Sequence, residues 1–175
     1  MTLTLLCGGN KAWAADATVT STFKDQNWSV GAGEPSWTSS GAATNAFESR
    51  GVQITLSNIK ESKSGLKLSN SSIKDLGNIK SITLTVSANG AGGKISNVKV
   101  GSTSFLNNGN SSYTVVKENN QTVTFETNTP IAGDIVISFS STADSKSLYI
   151  KSISVTYQEA STPTCLLYTS DAADD

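Results

Sequence analysis

Apolar residues in this chain recur at every second position, with Ser, Thr, Asn or Lys standing between them. The runs are Val19 and Phe23 within Thr18–Phe23, then Val52/Ile54/Leu56, Ile82/Leu84/Val86, Val123/Phe125, Ile135/Ile137/Phe139 and Ile153/Val155/Tyr157. Shorter runs lie at Gly65–Leu68, Ile95–Val100 and Tyr113–Lys117. Side chains of a strand alternate between faces, so each run offers one apolar face to a core and one polar face to water. No stretch carries an apolar stripe at helical period long enough for a stable helix; Ser71–Leu76 suits a single helical turn.

Turn formers separate the runs. They are Asn89-Gly90 with Gly92-Gly93, Asn107 to Asn110, Asn119-Asn120, Pro130 and Ala132 to Asp134. Lys117–Thr122 reads as the clearest hairpin turn. One break in register is visible. Leu148 and Ile150 fall on even positions, whereas Ile153, Val155 and Tyr157 fall on odd ones. A bulge near Lys151-Ser152 reconciles them; the alternative is a strand buried on both faces. About eight or nine short antiparallel strands predict an all-β, two-sheet antiparallel β-sandwich, with a jelly roll favoured over an immunoglobulin-like arrangement.

The two ends read differently from the middle. Residues 1–14 run from a short apolar stretch (Leu3, Leu5, Leu6, Cys7) to Ala12-Trp13-Ala14, a cleavage pattern of exported proteins. No basic region precedes the apolar stretch, so 1–14 reads as the truncated end of a signal peptide. Glu159–Thr164 contains Pro163 and reads as the start of a linker. Residues 165–175, Cys165 to Asp175, resemble the in-frame translation of a transposon-end sequencing adapter. The expected domain is therefore 15–158, the front piece of a longer secreted or cell-surface protein with a further domain downstream.

Composition excludes several chemistries. Histidine is absent from the whole chain. That removes Ser-His-Asp and Cys-His catalysis and nearly all zinc or copper sites. Both cysteines, Cys7 and Cys165, lie in the ends, so no disulfide holds the domain. The formal charge is −1 and Arg50 is the sole arginine, which offers no basic face for nucleic acid. No apolar run approaches the ~20 residues of a membrane-spanning helix.

Five segments carry a resemblance. They are Phe23–Trp28, Ser36-Trp37-Thr38, Phe47–Thr55, Ile79–Val86 and Leu148–Tyr157. Together they resemble the jelly-roll modules of secreted, multidomain Bacteroidota proteins, which are similar to galactose-binding-like carbohydrate-binding domains. The likeness spans most of Thr18–Tyr157. It implies a non-catalytic accessory role, with a glycan as the expected partner, and it fixes no ligand residues. It also implies that a structural calcium is possible near the strand ends; no other cofactor is expected.

Candidate ligand residues come from chemistry. Trp28 and Trp37 sit in a poorly periodic Gly/Ser-rich segment. Their rings suit either stacking on the apolar face of a sugar or capping an open end of the core. Asn107 and Asn108 can hydrogen-bond sugar hydroxyls or serve a plain turn, and Tyr113 beside them is a weaker stacking candidate. Asp16, Asp25, Glu34, Glu48 and Glu159 are scattered, with no calcium-loop spacing. A glycosidase would need two of Asp25, Glu34, Glu48 and Glu126 within about 5–9.5 Å across a cleft. The alternative to glycan binding is a structural spacer or adhesin-type sandwich. If 15–158 is the folded unit, limited proteolysis of the chain should leave a core starting near Ala15 and ending near Gln158, read by intact mass. Primary cuts inside 81–87 would contradict that boundary.

Overall fold

A computed structural model describes residues 15–23, 33–40, 43–44, 51–55, 67–117, 120–141 and 147–159. The strands, in chain order, are β1 (Asp16–Thr22), β2 (Thr38–Ser40), β3 (Ala43–Thr44), β4 (Val52–Thr55), β5 (Lys67–Asn70), β6 (Gly77–Ala88), β7 (Gly93–Val100), β8 (Thr103–Phe105), β9 (Tyr113–Val115), β10 (Gln121–Ile131), β11 (Ile135–Ser141) and β12 (Ser147–Glu159). One 3-10 turn, Ile73–Asp75, falls within the short helical turn expected at Ser71–Leu76.

Two six-stranded antiparallel sheets result. In the first, β10, β6, β12, β4 and β3 lie side by side, and β1 also pairs with β12. In the second the order is β2, β5, β11, β7 and β8, and β9 also pairs with β7. The pairings are nested: β4 with β12, β5 with β11, β6 with β10, and β7 with β8. This is one long hairpin rolled up, so successive strands alternate between sheets except at β3 and β4, which both lie in the first, and at β7, β8 and β9, which all lie in the second. The observed fold is the jelly roll, as the strand pattern suggested.

Sheet alternation corrects one expectation. Lys117–Thr122 is not a hairpin turn, because β9 belongs to the second sheet and β10 to the first. Gln121 produces hairpin-like bonding with its side chain instead. Its Oε1 accepts from Val116 N at 3.2 Å and its Nε2 donates to Val116 O at 2.8 Å. The tight same-sheet turn is at Gly101-Ser102, between β7 and β8.

The core lies between the sheets. Ile82, Leu84 and Val86 of β6, Ile153 and Val155 of β12, and Val123 and Phe125 of β10 face Leu68, Ile95, Val98, Val100, Ile135, Ile137 and Phe139 of the second sheet, and all are buried. Each such side chain contributes about 1.5–3 kcal/mol over its exposed state. The expected bulge in β12 is present. Ile150 pairs with Val86 and Ser152 with Thr85, so Lys151 is the extra residue. Two further bulges set the faces. Lys80 is extra in β6, between partners Ile79 and Ser81, and Ser96 in β7, between Ile95 and Asn97.

At the β12 bulge the first-sheet edge changes hands. β4 pairs with Ser147–Ile150, β1 pairs with Ser152–Gln158, and Phe23 N donates to Lys151 O at 2.9 Å. Gly51 fits against this bulge with φ +92, and a Cβ there would lie 2.1 Å from Ile150 O. Only glycine adopts this conformation at that approach without strain. Gly51→Ala should therefore lower stability by about 2–4 kcal/mol. Urea denaturation measures this, and a loss below about 0.5 kcal/mol would contradict the close contact.

Candidate functional site

Rolling the hairpin leaves four surfaces: two closed sides and two outward sheet faces. The side along β1 and β2 is closed by residues 34–37. Trp37 is 4% exposed and belongs to the core. Its Nε1 donates to Ser21 Oγ at 3.0 Å, and Ser21 Oγ donates to Pro35 O at 2.9 Å. Glu34 Oε2 accepts from Thr22 N at 2.6 Å. The indole thus finds its polar partner inside the protein, and no ring face is left for a sugar in this arrangement. Of the two roles open to Trp37, the structure places it in capping the core. Trp28 lies outside the described residues.

Asn70 supports the same side. It is 2% exposed and fully partnered. Its Nδ2 donates to Ser36 O at 2.7 Å, while Oδ1 accepts from Ser72 N, Ser72 Oγ and Ile73 N at 2.9–3.0 Å. One amide therefore ties β5, the 3-10 turn and the Trp37 segment together. Sequence reasoning passed over Asn70; its place directly before Ser71-Ser72 is an Asx-turn pattern that marks such a residue.

The opposite side joins β10 to β8 and β9. Leu106 and Glu126 exchange backbone hydrogen bonds at 2.9 Å each, linking the two sheets. Asn107 and Asn110 form the bridge of a tight turn, with Asn108 at φ 47 and Gly109 at φ 81. Asn107 Nδ2 donates to Thr124 O at 2.8 Å, so that side chain anchors the turn to β10. Asn108 is exposed at the tip. Tyr113 packs against the core by its ring and donates from its hydroxyl to Gln121 Oε1 at 3.3 Å. Asn107, Asn108 and Tyr113 are thus gathered on one side of the sandwich, with Leu106 and Val116 exposed beside them. Trp37 is on the other side.

The two sheet faces differ in chemistry. The first sheet presents rows of hydroxyls: Thr22, Ser152, Thr85 and Thr122; then Thr20, Ser154, Thr83 and Thr124; then Thr18, Thr156 and Ser81, a row that ends in the carboxylate of Glu126. Several pair with each other: Thr18 with Thr156 at 3.0 Å, Thr20 with Ser154 at 2.9 Å and Thr83 with Thr124 at 2.9 Å. Its strands carry Asp16, Glu126 and Glu159 against Lys80 and Lys151. Lys80 is bonded to Asp16 at 2.5 Å.

The strands of the second sheet carry Lys67, Lys94 and Lys99, and no Asp or Glu. Lys99 stands opposite Val136 and Ser104, and Lys94 opposite Ser140 and Thr114. Asn97 stands opposite Ser138. Its Nδ2 lies 3.5 Å from Ser104 Oγ, and its Oδ1 is buried with no hydrogen-bond partner among the described residues.

Of the candidate acids, the two among the described residues do not converge. Glu34 sits beside β1 and Glu126 lies on β10, three strands away across the first sheet. Strand spacing alone separates them by at least about 14 Å. Asp25 and Glu48 lie outside the described residues. Among the described residues no three His, Cys, Asp or Glu side chains form a group that would hold a metal ion. No helix among the described residues is long and apolar enough to cross a membrane.

No family model and no curated protein sequence matches the chain. Solved structures do match. A family 29 carbohydrate-binding module from Piromyces equi superimposes with TM-score 0.51 at 13% identity, covering 81% of this chain and 91% of that one. A family 29 module complexed with mannohexaose gives TM-score 0.51 at 9% identity, covering 82% and 94%. The family 22 binding and family 10 hydrolase modules of Clostridium thermocellum endo-1,4-beta-D-xylanase 10B, complexed with xylohexaose, give TM-score 0.52 at 14% identity. That match covers 87% of this chain and 30% of the xylanase. At these identities the likeness establishes the fold: the chain has the β-sandwich of carbohydrate-binding modules.

If Trp37 caps the core, Trp37→Ala should cost about 3–5 kcal/mol of stability in a denaturant titration. A loss below about 1 kcal/mol would mean that the indole is not packed as described.

Proposed function

We infer that this domain is a non-catalytic, glycan-binding accessory module of a larger secreted or surface protein. The observation that carries the reading is the fold itself. The rolled sandwich matches a carbohydrate-binding module over 91% of that module's length. One neighbour is complexed with mannohexaose and another, joined to a hydrolase module, with xylohexaose. The outward groups are of the kind that engage sugars: amides, hydroxyls and ammonium groups on a rigid sheet scaffold. The separated carboxylates agree with a role in holding rather than cleaving.

In this reading Asn108 at the turn tip, with Asn107 and Tyr113 behind it, is one contact region, and Trp28 is a further stacking residue. The leader-like segment 1–14 and the Pro-containing 159–164 support export and attachment to a downstream domain, and the motif resemblance supports a Bacteroidota source. A second reading, a spacer without a ligand, is favoured by the first sheet, whose outward hydroxyls bond to each other.

Affinity electrophoresis of the purified chain through gels containing plant, host or microbial polysaccharides separates the two. Retention by at least one polysaccharide, with a ligand-induced rise in Tm, is the expected result. Free migration through every gel would remove the glycan reading and leave the spacer.

A further inference from the structure

We propose that the free edge of β1 pairs with the same edge of a second copy of this chain, joining two first sheets across a two-fold axis. The inference stands apart from the glycan reading.

Hydrogen-bond parity identifies the edge. Successive residues of an antiparallel strand turn their backbone N–H and C=O to alternate sides. Ala15 O accepts from Glu159 N at 3.4 Å and Phe23 N donates to Lys151 O at 2.9 Å, so the odd-numbered residues of β1 face β12. Thr22 N turns the other way, to Glu34 Oε2 at 2.6 Å. The backbone groups of Asp16, Thr18 and Thr20 therefore point away from the sheet. They have no hydrogen-bond partner among the described residues, and all three residues are exposed. The opposite side of the sandwich is treated differently. There Gln121 clamps Val116 beside β9, Leu106 and Glu126 bridge β8 to β10, and Asn107 Nδ2 donates to Thr124 O. An open edge that is rich in Thr and lacks Pro and Lys is a template for another strand.

Glu34 sets the register. It occupies the edge at Thr22 and leaves Asp16, Thr18 and Thr20 for a partner. The antiparallel register that uses all three puts Thr18 against Thr18 of the second copy, and Asp16 against Thr20 of the second copy. That arrangement is self-complementary, with the two-fold axis at Thr18. No carboxylate then stands directly opposite a carboxylate, and each Asp16 keeps its bond to Lys80 at 2.5 Å. On the inner face the half-buried Ala17 and Val19 come to stand opposite each other, so pairing covers apolar surface. On the outer face Thr18 and Thr20 keep their hydroxyl bonds to Thr156 and Ser154. The row β10, β6, β12 and β1 becomes one half of a continuous sheet of twice that width. Asp16–Thr20 is a short contact beside the roughly 20–30 residues a side of a stable interface, so the pair is weak, with Kd on the order of 10⁻⁴ M.

Sedimentation velocity tests this on the purified chain, in reducing agent so that Cys7 and Cys165 form no cross-links. Across a series from about 10 μM to about 1 mM, the expected result is a shift from monomer to dimer. Thr18→Pro removes the N–H at the axis. Proline is tolerated where the N–H faces away from the ladder, so this variant should keep its strand circular dichroism and associate at least about tenfold more weakly. Thr20→Glu sets a carboxylate opposite Asp16 of the second copy and should weaken association about fivefold, whereas Thr20→Lys should associate at least as tightly as the parent.

A chain that stays monomeric through the whole series would overturn the inference. So would a folded Thr18→Pro variant that dimerises like the parent, which would place the contact on another surface. Should Thr18→Pro not fold, the Thr20 pair decides: the same change in association from Glu and from Lys would overturn the register and the inference with it.

Discussion

Strand β12 carries the hydrogen-bond ladders of three other strands, and the rest of the fold is arranged around it. It lies along β6 for nearly its whole length. On its other edge it serves β4 first and β1 after the bulge. Lys151 makes that exchange possible, because one extra residue lets Leu148, Ile150, Ile153 and Val155 all point inward despite their mixed parity. A ladder slipped by one residue would turn a whole apolar set to solvent. The first and last strands of the rolled hairpin meet here, and the chain cannot close its sandwich without this pairing.

Closure uses up Trp37, a ring of the kind that could otherwise stack on a sugar. Trp37 and Ser21 seal one side, and the Leu106–Glu126 bridge with the Gln121 clamp seals the other. What remains outward is two sheet faces of unlike character. One is a field of hydroxyls that bond among themselves. The other carries lysines with no carboxylate on its strands.

Much of the fold was legible because period-two alternation is a direct imprint of a half-buried strand. The parity change between Ile150 and Ile153 announced the β12 bulge. The same parity change, Ile79 against Ile82 and Ile95 against Val98, accompanies the bulges at Lys80 and Ser96, but it spans neighbouring runs and does not show within either one. Strands β2 and β3 are too short for alternation to show. The reading of Lys117–Thr122 as a hairpin failed because turn chemistry does not reveal which sheet follows; Gln121 imitates the missing partner strand. For the site, residue type was a poor guide. Trp37 has the ring of a sugar platform, yet its placement was decided by Ser21, a residue 16 positions earlier whose hydroxyl receives the indole. That the strands carrying Lys67, Lys94 and Lys99 belong to one sheet could not be seen until topology placed them.

Native-state hydrogen exchange tests the organising role of β12 most directly. If β12 is the common partner, the amides of Ile153 and Val155, with Leu84 of β6, should exchange only through global unfolding, with the largest opening free energies in the chain. The turn at Asn107–Asn110 should open well below that limit. Exchange of the β12 amides through local opening, while β7 and β11 stay protected to the global limit, would contradict the account.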